Sequence, residues 1–307
     1  MTATTPTPLP VTVIGGYLGA GKTTLLNHLL RHAGGRRIAV LVNDFGQLAI
    51  DADLIEAEDG EMISIAGGCI CCSFGDDLTG ALSDMARRAP RPDHVVIECS
   101  GVALPASIAF NIGLMEGLSL AGLVVLADAE RVRRQAADAY IGDTILRQLS
   151  QADIVVVTKS DLVDRATRDA LEAWLRGQVP DARVLTAAAG EVAPELLLGH
   201  REGAPLGPGG DHADRDYDSL VLHPGPCYPE ALANRLADPA LGLLRAKGFV
   251  RDRRGEWHLV QIVGSRAEVT PVAGPRVEGV VCIGRRDGFP HAALAALAAP
   301  RSVHGSA

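Results

Sequence analysis

Five short apolar runs punctuate the first half of the chain: "VTVIGG", "RIAVLVND", "HVVIECSG", "GLVVLADA" and "DIVVVTKSD". They are rich in Val and Ile and mostly continuous rather than alternating, as strands buried on both faces are. Such strands belong to parallel sheets covered by helices. Between them, "KTTLLNHLLRHA", "GDDLTGALSDMARRA", "DTILRQLSQA" and "RATRDALEAWLRGQ" repeat their apolar positions at helical spacing. The alternation predicts an α/β domain over 10–190, a mostly parallel sheet flanked by helices. From 187 the pattern changes to one short helical segment and then a stretch of Gly, Pro and Asp, which predicts a linker over 191–216. Beyond it, "YDSLVLHPG", "GEWHLVQIVG", "AEVTPVAG" and "EGVVCIGRRDG" read as strands, and "YPEALANRLA" and "PHAALAALAA" as helices. These predict a smaller α+β domain over 217–307.

A chain of 307 residues is long enough for two domains with a substantial core. The opening "MTATTPTPLP" has neither a basic n-region nor an apolar h-region, and no apolar run approaches the roughly 20 residues that span a bilayer. The expected location is the cytoplasm, with no membrane partner. A formal net charge of -8 argues against a broad nucleic-acid surface, which rewards clustered Lys and Arg. The exception, "RVRRQ" from Arg131 to Gln135, reads as the solvated first turn of a surface helix.

Three of the six cysteines, Cys69, Cys71 and Cys72, fall within "GGCICCSF". Cytoplasmic thiols stay reduced, so the cluster points to metal or redox chemistry rather than a disulfide. Cys99, Cys227 and Cys282 stand singly among apolar neighbours and read as small buried hydrophobes.

"GYLGAGKTT", Gly16 to Thr24, fits G-x-x-x-x-G-K-[ST] between a predicted strand and a predicted helix, the context that this phosphate-binding loop requires. Gly16, Gly19, Ala20 and Gly21 let backbone N–H groups converge on phosphates, and the helix start at Lys22, Thr23 and Thr24 adds partial positive charge. Lys22 reaches the β and γ phosphates, and the Thr23 hydroxyl can hold Mg2+. In "VVVTKSDLV", Thr158, Lys159 and Asp161 form a T-K-x-D arrangement at the end of a buried strand. A carboxylate there can accept hydrogen bonds from the ring N–H and the exocyclic amine of guanine, a pair that adenine lacks. The competing reading is a helix cap by Ser160 or Asp161. In "HVVIECSGVA", Glu98 followed by Gly101 matches a Walker B layout, with the acid supporting Mg2+ and the glycine N–H meeting the γ phosphate. The competing reading there is a cap of the next helix by Ser100.

"GGYLGAGKTTLLNHLL", "NDFGQLAID", "GGCICC", "ECSG" and "TKSD", in that order, resemble the CobW family of P-loop GTPases. That family includes cobalamin-synthesis proteins, nitrile hydratase activators and zinc-regulated GTP metalloprotein activators. "LLRAKGFV" and "VVCIGRR" resemble elements of its C-terminal domain, so the likeness covers nearly the whole chain. The G-G-C-x-C-C element is more specific than the phosphate loop. The resemblance implies that Cys69, Cys71 and Cys72 bind a transition metal, zinc or cobalt, close to the nucleotide. Thiolates are soft ligands suited to such ions, and residues two apart in an extended segment point the same way. Three thiolates leave one tetrahedral position for an exchangeable ligand. Where the family commonly reads N-E-F-G-E, this chain has "NDFGQ": Asp44 keeps a shorter carboxylate and Gln47 has lost its charge. Asp44 and Asp51 are the candidates for a fourth ligand or for positioning the attacking water. No Gln or Arg stands out as a hydrolysis residue. Many family members carry a long His-rich tract between domains. Here only His200 and His212 lie near the linker, beside Asp211, Asp214 and Asp216, which read as a solvated acidic loop.

The expected function is a GTP-driven metallochaperone with GTP, Mg2+ and Zn2+ or Co2+ as its small-molecule partners and a client metalloprotein as its protein partner. A homodimer is compatible with this. A P-loop small-molecule kinase, with "RVRRQ" as a poor lid, and a metal-sensing regulator with weak GTPase activity are the alternatives.

Overall fold

The computed structural model describes residues 7–42, 61–64, 76–199, 217–274 and 276–298. They form two compact units, one over Pro8–Leu198 and one joining Thr7 to the residues from Gly199 onward.

The first unit is built on seven parallel strands: β1 (Leu9–Gly16), β2 (Ile38–Val42), β3 (Glu61–Ser64), β4 (His94–Glu98), β5 (Leu118–Asp128), β6 (Ile154–Thr158) and β7 (Arg183–Thr186), in the order β3-β2-β4-β1-β5-β6-β7. Its helices are α1 (Lys22–Arg31), α2 (Asp76–Arg87), α3 (Pro105–Gly113), α4 (Val132–Ala136), α5 (Gly142–Ser150), α6 (Arg165–Gln178) and α7 (Pro194–Leu198). Residues 11–16 of β1 are all buried, because alternate side chains meet helices on opposite faces. Val11 and Val13 join a core with Leu82 of α2, Ile108 of α3, Leu149 of α5 and Leu175 of α6. Thr12 faces the other way, where its hydroxyl donates to the Leu197 carbonyl of α7 at 3.0 Å and meets His94 Nε2 at 2.8 Å. Sequential strands joined through covering helices therefore account for the continuous Val and Ile runs.

Helix α6 coincides with the helical run at 165–178. Its cap is Asp164, whose carboxylate accepts the Thr167 N–H at 2.7 Å and is held below the usual carboxylate range first by the Thr167 side chain and then by that backbone bond. Neither Ser160 nor Asp161 caps it. Helix α3 likewise starts from Leu104 with Pro105 in its first turn and no side-chain cap, so Ser100 does not have the competing role considered above. "RVRRQ" does lead into a helix, α4, with Arg133 and Arg134 exposed. The linker expected from 191 begins too early: residues 191–198 belong to the first unit, where Leu196, Leu197 and Leu198 of α7 are fully buried.

The second unit has strands β8 (Tyr217–Leu222), β9 (Leu243–Arg251), β10 (Trp257–Val263), β11 (Arg266–Val272) and β12 (Gly279–Arg285), antiparallel in the order β11-β10-β9-β12-β8. One face packs Ala246, Val250, Val260, Ile262, Val280 and Cys282 against Leu232 and Leu236 of α8 (Pro229–Leu236) and Leu294 of α9 (His291–Ala298). The smaller domain is thus α+β, as expected. Cys282 is fully buried, whereas Cys227 is only partly so, with its thiol 3.8 Å from the Arg251 carbonyl. Among the described residues no helix is long and apolar enough to cross a membrane.

Candidate nucleotide-binding site

In the first unit the motif residues lie at the carboxyl ends of parallel strands, the edge where open α/β sheets carry their ligands. The loop leaving β1 turns through a 3.0 Å bond from the Ala20 N–H to the Tyr17 carbonyl, and the first helical bond of α1 runs from the Leu25 N–H to the Gly21 carbonyl. Gly21 caps the helix at φ 93°, a left-handed conformation that disfavours any side chain. No side chain caps α1, so its first N–H groups remain available to a bound anion. Lys22 is nearly buried, its ammonium donating to the Gly16 carbonyl at 3.1 Å across the loop. Thr23 and Thr24 follow in the first turn, Thr24 the more exposed of the two.

The end of β4 is tied to this loop. Ile14 and Val42 pair in register with Glu98, and the Cys99 N–H donates to the Ile14 carbonyl at 2.8 Å. Glu98 is buried, with 3% of its surface exposed. A carboxylate so placed suits Mg2+, which takes hard oxygen ligands. Burial pushes the Cys99 thiol up to about 12, with Lys22 opposing the shift and Glu98 adding to it. That thiol stays protonated at neutral pH, so Cys99 is an inert packing residue. At Gly101 a Cβ would lie 2.8 Å from the Leu18 backbone nitrogen, a contact with a main-chain atom that cannot swing aside. The buried amide of Gln148 holds this crossing in place by donating to the Gly101 and Ala103 carbonyls at 3.1 and 2.8 Å. Nothing in the sequence around Gln148 singled it out.

The end of β6 completes the site. The buried Thr158 hydroxyl donates to the Ala20 carbonyl at 2.7 Å, joining the T-K-x-D segment directly to the phosphate loop. Lys159 takes the left-handed conformation at φ 55°, which costs a non-glycine residue about 1–2 kcal/mol. Its ammonium is held at 2.7 Å by Asp128, a buried carboxylate at the end of β5 that also accepts the Glu130 N–H at 2.9 Å. Backbone strain held by a specific ion pair, here with the lysine partly exposed, clusters at functional segments. The exposed carboxylate of Asp161 accepts the Ala189 N–H at 3.4 Å. Ala189 and Gly190 are both left-handed, at φ 49° and 78°, and a Cβ on Gly190 would lie 3.1 Å from Thr24 Cγ2. The loop at 187–190 therefore stands between Asp161 and α1. Sequence reading passed over Asp128 and treated 187–190 as the change of pattern before a linker.

Cys69, Cys71, Cys72, Asp44, Gln47, Asp51, His200, His212, Asp211, Asp214 and Asp216 lie outside the described residues. Val42 and Ser64, the last described residues before the two segments that hold the cysteines and Asp44, stand at the carboxyl ends of β2 and β3.

The sequence profile of the CobW/HypB/UreG nucleotide-binding domain matches residues 10–186, and that of the cobalamin synthesis protein cobW C-terminal domain matches 218–299. The chain is 31% identical over 289 residues to the zinc chaperone CobW of Sinorhizobium sp, covering 80% of this chain and 78% of that protein. It is 32% identical over 242 residues to the zinc chaperone CobW of Pseudomonas aeruginosa, covering 68% of this chain and 64% of that one. Among solved structures, the Zn(II)-bound YjiA GTPase of E. coli aligns over 95% of this chain and 98% of its own at 25% identity and a TM-score of 0.49.

The Thr158 bond generates a prediction. Thr158→Val leaves the Ala20 carbonyl without its donor and should lower the unfolding free energy by about 1–3 kcal/mol, while Thr158→Ser, which keeps a hydroxyl, should lower it less. Denaturant unfolding of both variants measures this, and equal stabilities for Val and Ser would show that the bond contributes nothing.

Proposed function

This chain belongs to the CobW/HypB/UreG family of nucleotide-binding proteins, and on that premise we propose that it is a GTP-hydrolysing metallochaperone serving a client metalloprotein. The observation that carries the reading is the Thr158 bond to the Ala20 carbonyl, which makes the T-K-x-D segment and the phosphate loop one site. In this reading the backbone from Gly16 to Thr24 cradles the phosphates, and Lys22 leaves the Gly16 carbonyl to meet the β and γ oxygens. The Gly101 N–H meets the γ phosphate. Thr23 and Glu98 hold Mg2+, which when bound neutralises charge developing on the transferred phosphoryl group. Thr158, Lys159 and Asp161 form the guanine pocket, with Asp161 accepting from the base and the 187–190 backbone closing beside it. Asp44, two residues beyond the strand that pairs with Glu98, orients water or completes the cargo site.

The cargo is zinc or cobalt, held by Cys69, Cys71 and Cys72. Cys69 lies five positions after Ser64, a chain span of at most about 18 Å, so the cysteines are tethered to the sheet edge that carries the nucleotide residues. In this reading the γ phosphate and its hydrolysis couple cargo capture or release to the nucleotide. The cytoplasm, where the three thiols remain reduced, is the compartment in which such a carrier works.

Two outcomes are expected. GTP should bind more tightly than ATP, because adenine offers the Asp161 carboxylate no ring N–H and exocyclic amine to accept from. That mismatch costs about 1–3 kcal/mol, or roughly 5- to 150-fold in Kd. Equal affinities in a nucleotide titration would remove the guanine assignment. Replacing Cys69, Cys71 and Cys72 together by Ser should abolish tight, stoichiometric zinc binding and leave GTP affinity unchanged. Retention of that zinc, measured with a competing chelator, would move the cargo site elsewhere.

A further inference from the structure

Helix α1 carries a second chemically distinctive pair at the end opposite the phosphate loop. His28 and His32 are four residues apart and share one face, with ring centroids 4.3 Å apart and planes inclined at 29°. Each ring has one nitrogen committed to a carbonyl. His28 Nε2 lies 3.1 Å from the Val192 carbonyl, and His32 Nδ1 lies 2.9 Å from the His28 carbonyl. Carbonyls only accept, so those nitrogens carry the protons. The neutral rings keep their lone pairs on His28 Nδ1 and His32 Nε2. Fixing a tautomer through a backbone carbonyl is how proteins prepare histidines as metal ligands.

An unprotonated imidazole is the ligand form, and each ring has a second nitrogen that its backbone bond leaves free to ligate. The pair occupies the last turn and the C-cap of α1, the negative end of the helix dipole, and the Glu191 carboxylate acts on His28 in the same sense.

We propose that His28 and His32 together bind one divalent transition-metal ion of the imidazole-preferring kind, such as Zn2+, Ni2+ or Co2+, at the C-terminal end of α1. Nitrogen ligands select such ions over Mg2+, which takes oxygen. Two protein ligands leave the other positions to water, so the site exchanges its ion more readily than a thiolate cluster does. It differs from the cysteine cargo site in residues and in ligand chemistry, and it does not depend on the guanine reading. The occupied pair bears on the nucleotide from two sides. It lies on the helix whose first turn faces the phosphates, and its His28 N–H holds Val192, two residues beyond the left-handed pair Ala189 and Gly190.

The test uses the full chain with Cys69, Cys71 and Cys72 replaced by Ser. Ni2+ and Zn2+ are titrated separately against a competing chelator in excess Mg2+. One weakly held equivalent should remain, and its affinity should fall by about tenfold or more with His32→Ala and equally with His28→Gln, which keeps an N–H for the Val192 carbonyl. His32→Ala should leave GTP affinity in the absence of transition metal unchanged, which establishes that α1 and the phosphate loop are intact. No equivalent in the triple-serine background, or an affinity that either histidine substitution leaves unchanged, overturns the proposal.

Discussion

A β-strand buried on both faces can present polar groups to a ligand only where it ends, and this constraint organises the first unit. Residues 11–16 of β1 are enclosed, as are the whole of β4 and β6. Because the strands are parallel, their carboxyl ends emerge along one edge, and the polar residues that follow them gather there. Lys22, Glu98, Asp128, Thr158 and Asp161 are far apart in sequence but share that edge. The apolar runs that make the sheet thus also determine where chemistry can occur.

At the edge, short bonds convert neighbouring loops into one site. Thr158 joins the base segment to the phosphate loop, Asp128 holds Lys159 in a conformation it would otherwise avoid, and Gln148 fixes the crossing of Gly101 over Leu18. Each involves a buried polar group, whose loss costs more than its presence contributes, because the abandoned partner has no water to turn to. The Thr158 hydroxyl, two bonds from the backbone, reaches the Ala20 carbonyl from the end of β6.

Elements with strong periodicity and standard termini were legible in the sequence. Helix α6 matches its apolar repeat residue for residue, and the strands preceding the phosphate loop, Glu98 and Thr158 were all evident from their Val and Ile content. What escaped was structure whose signal is tertiary. β9 lies at the centre of the second sheet, yet Arg245 and Lys247 on one face and Ala246 and Gly248 on the other give it no large apolar alternation. The short helix read after 187 is α7, but its three leucines carry no sign in the sequence that they pack into the first unit, so the expected linker runs over them. Asp128 ends an apolar run like many aspartates, and its role appears only when Lys159, 31 residues later, is brought to it. The loop at 187–190 is made of small residues whose backbone, rather than side chains, faces Asp161.

The central claim is that nucleotide and cargo metal act on one another across the carboxyl edge. Linkage requires any effect of GTP on metal affinity to be matched by an equal effect of metal on GTP affinity, with typical couplings of about 1–3 kcal/mol. The direct measurement is a zinc titration of the full chain against a competing chelator, run once with GDP and once with a non-hydrolysable GTP analogue. The account predicts affinities that differ by roughly 5- to 150-fold between the two states. Identical affinities would contradict it, leaving a metal-binding GTPase whose two sites do not communicate.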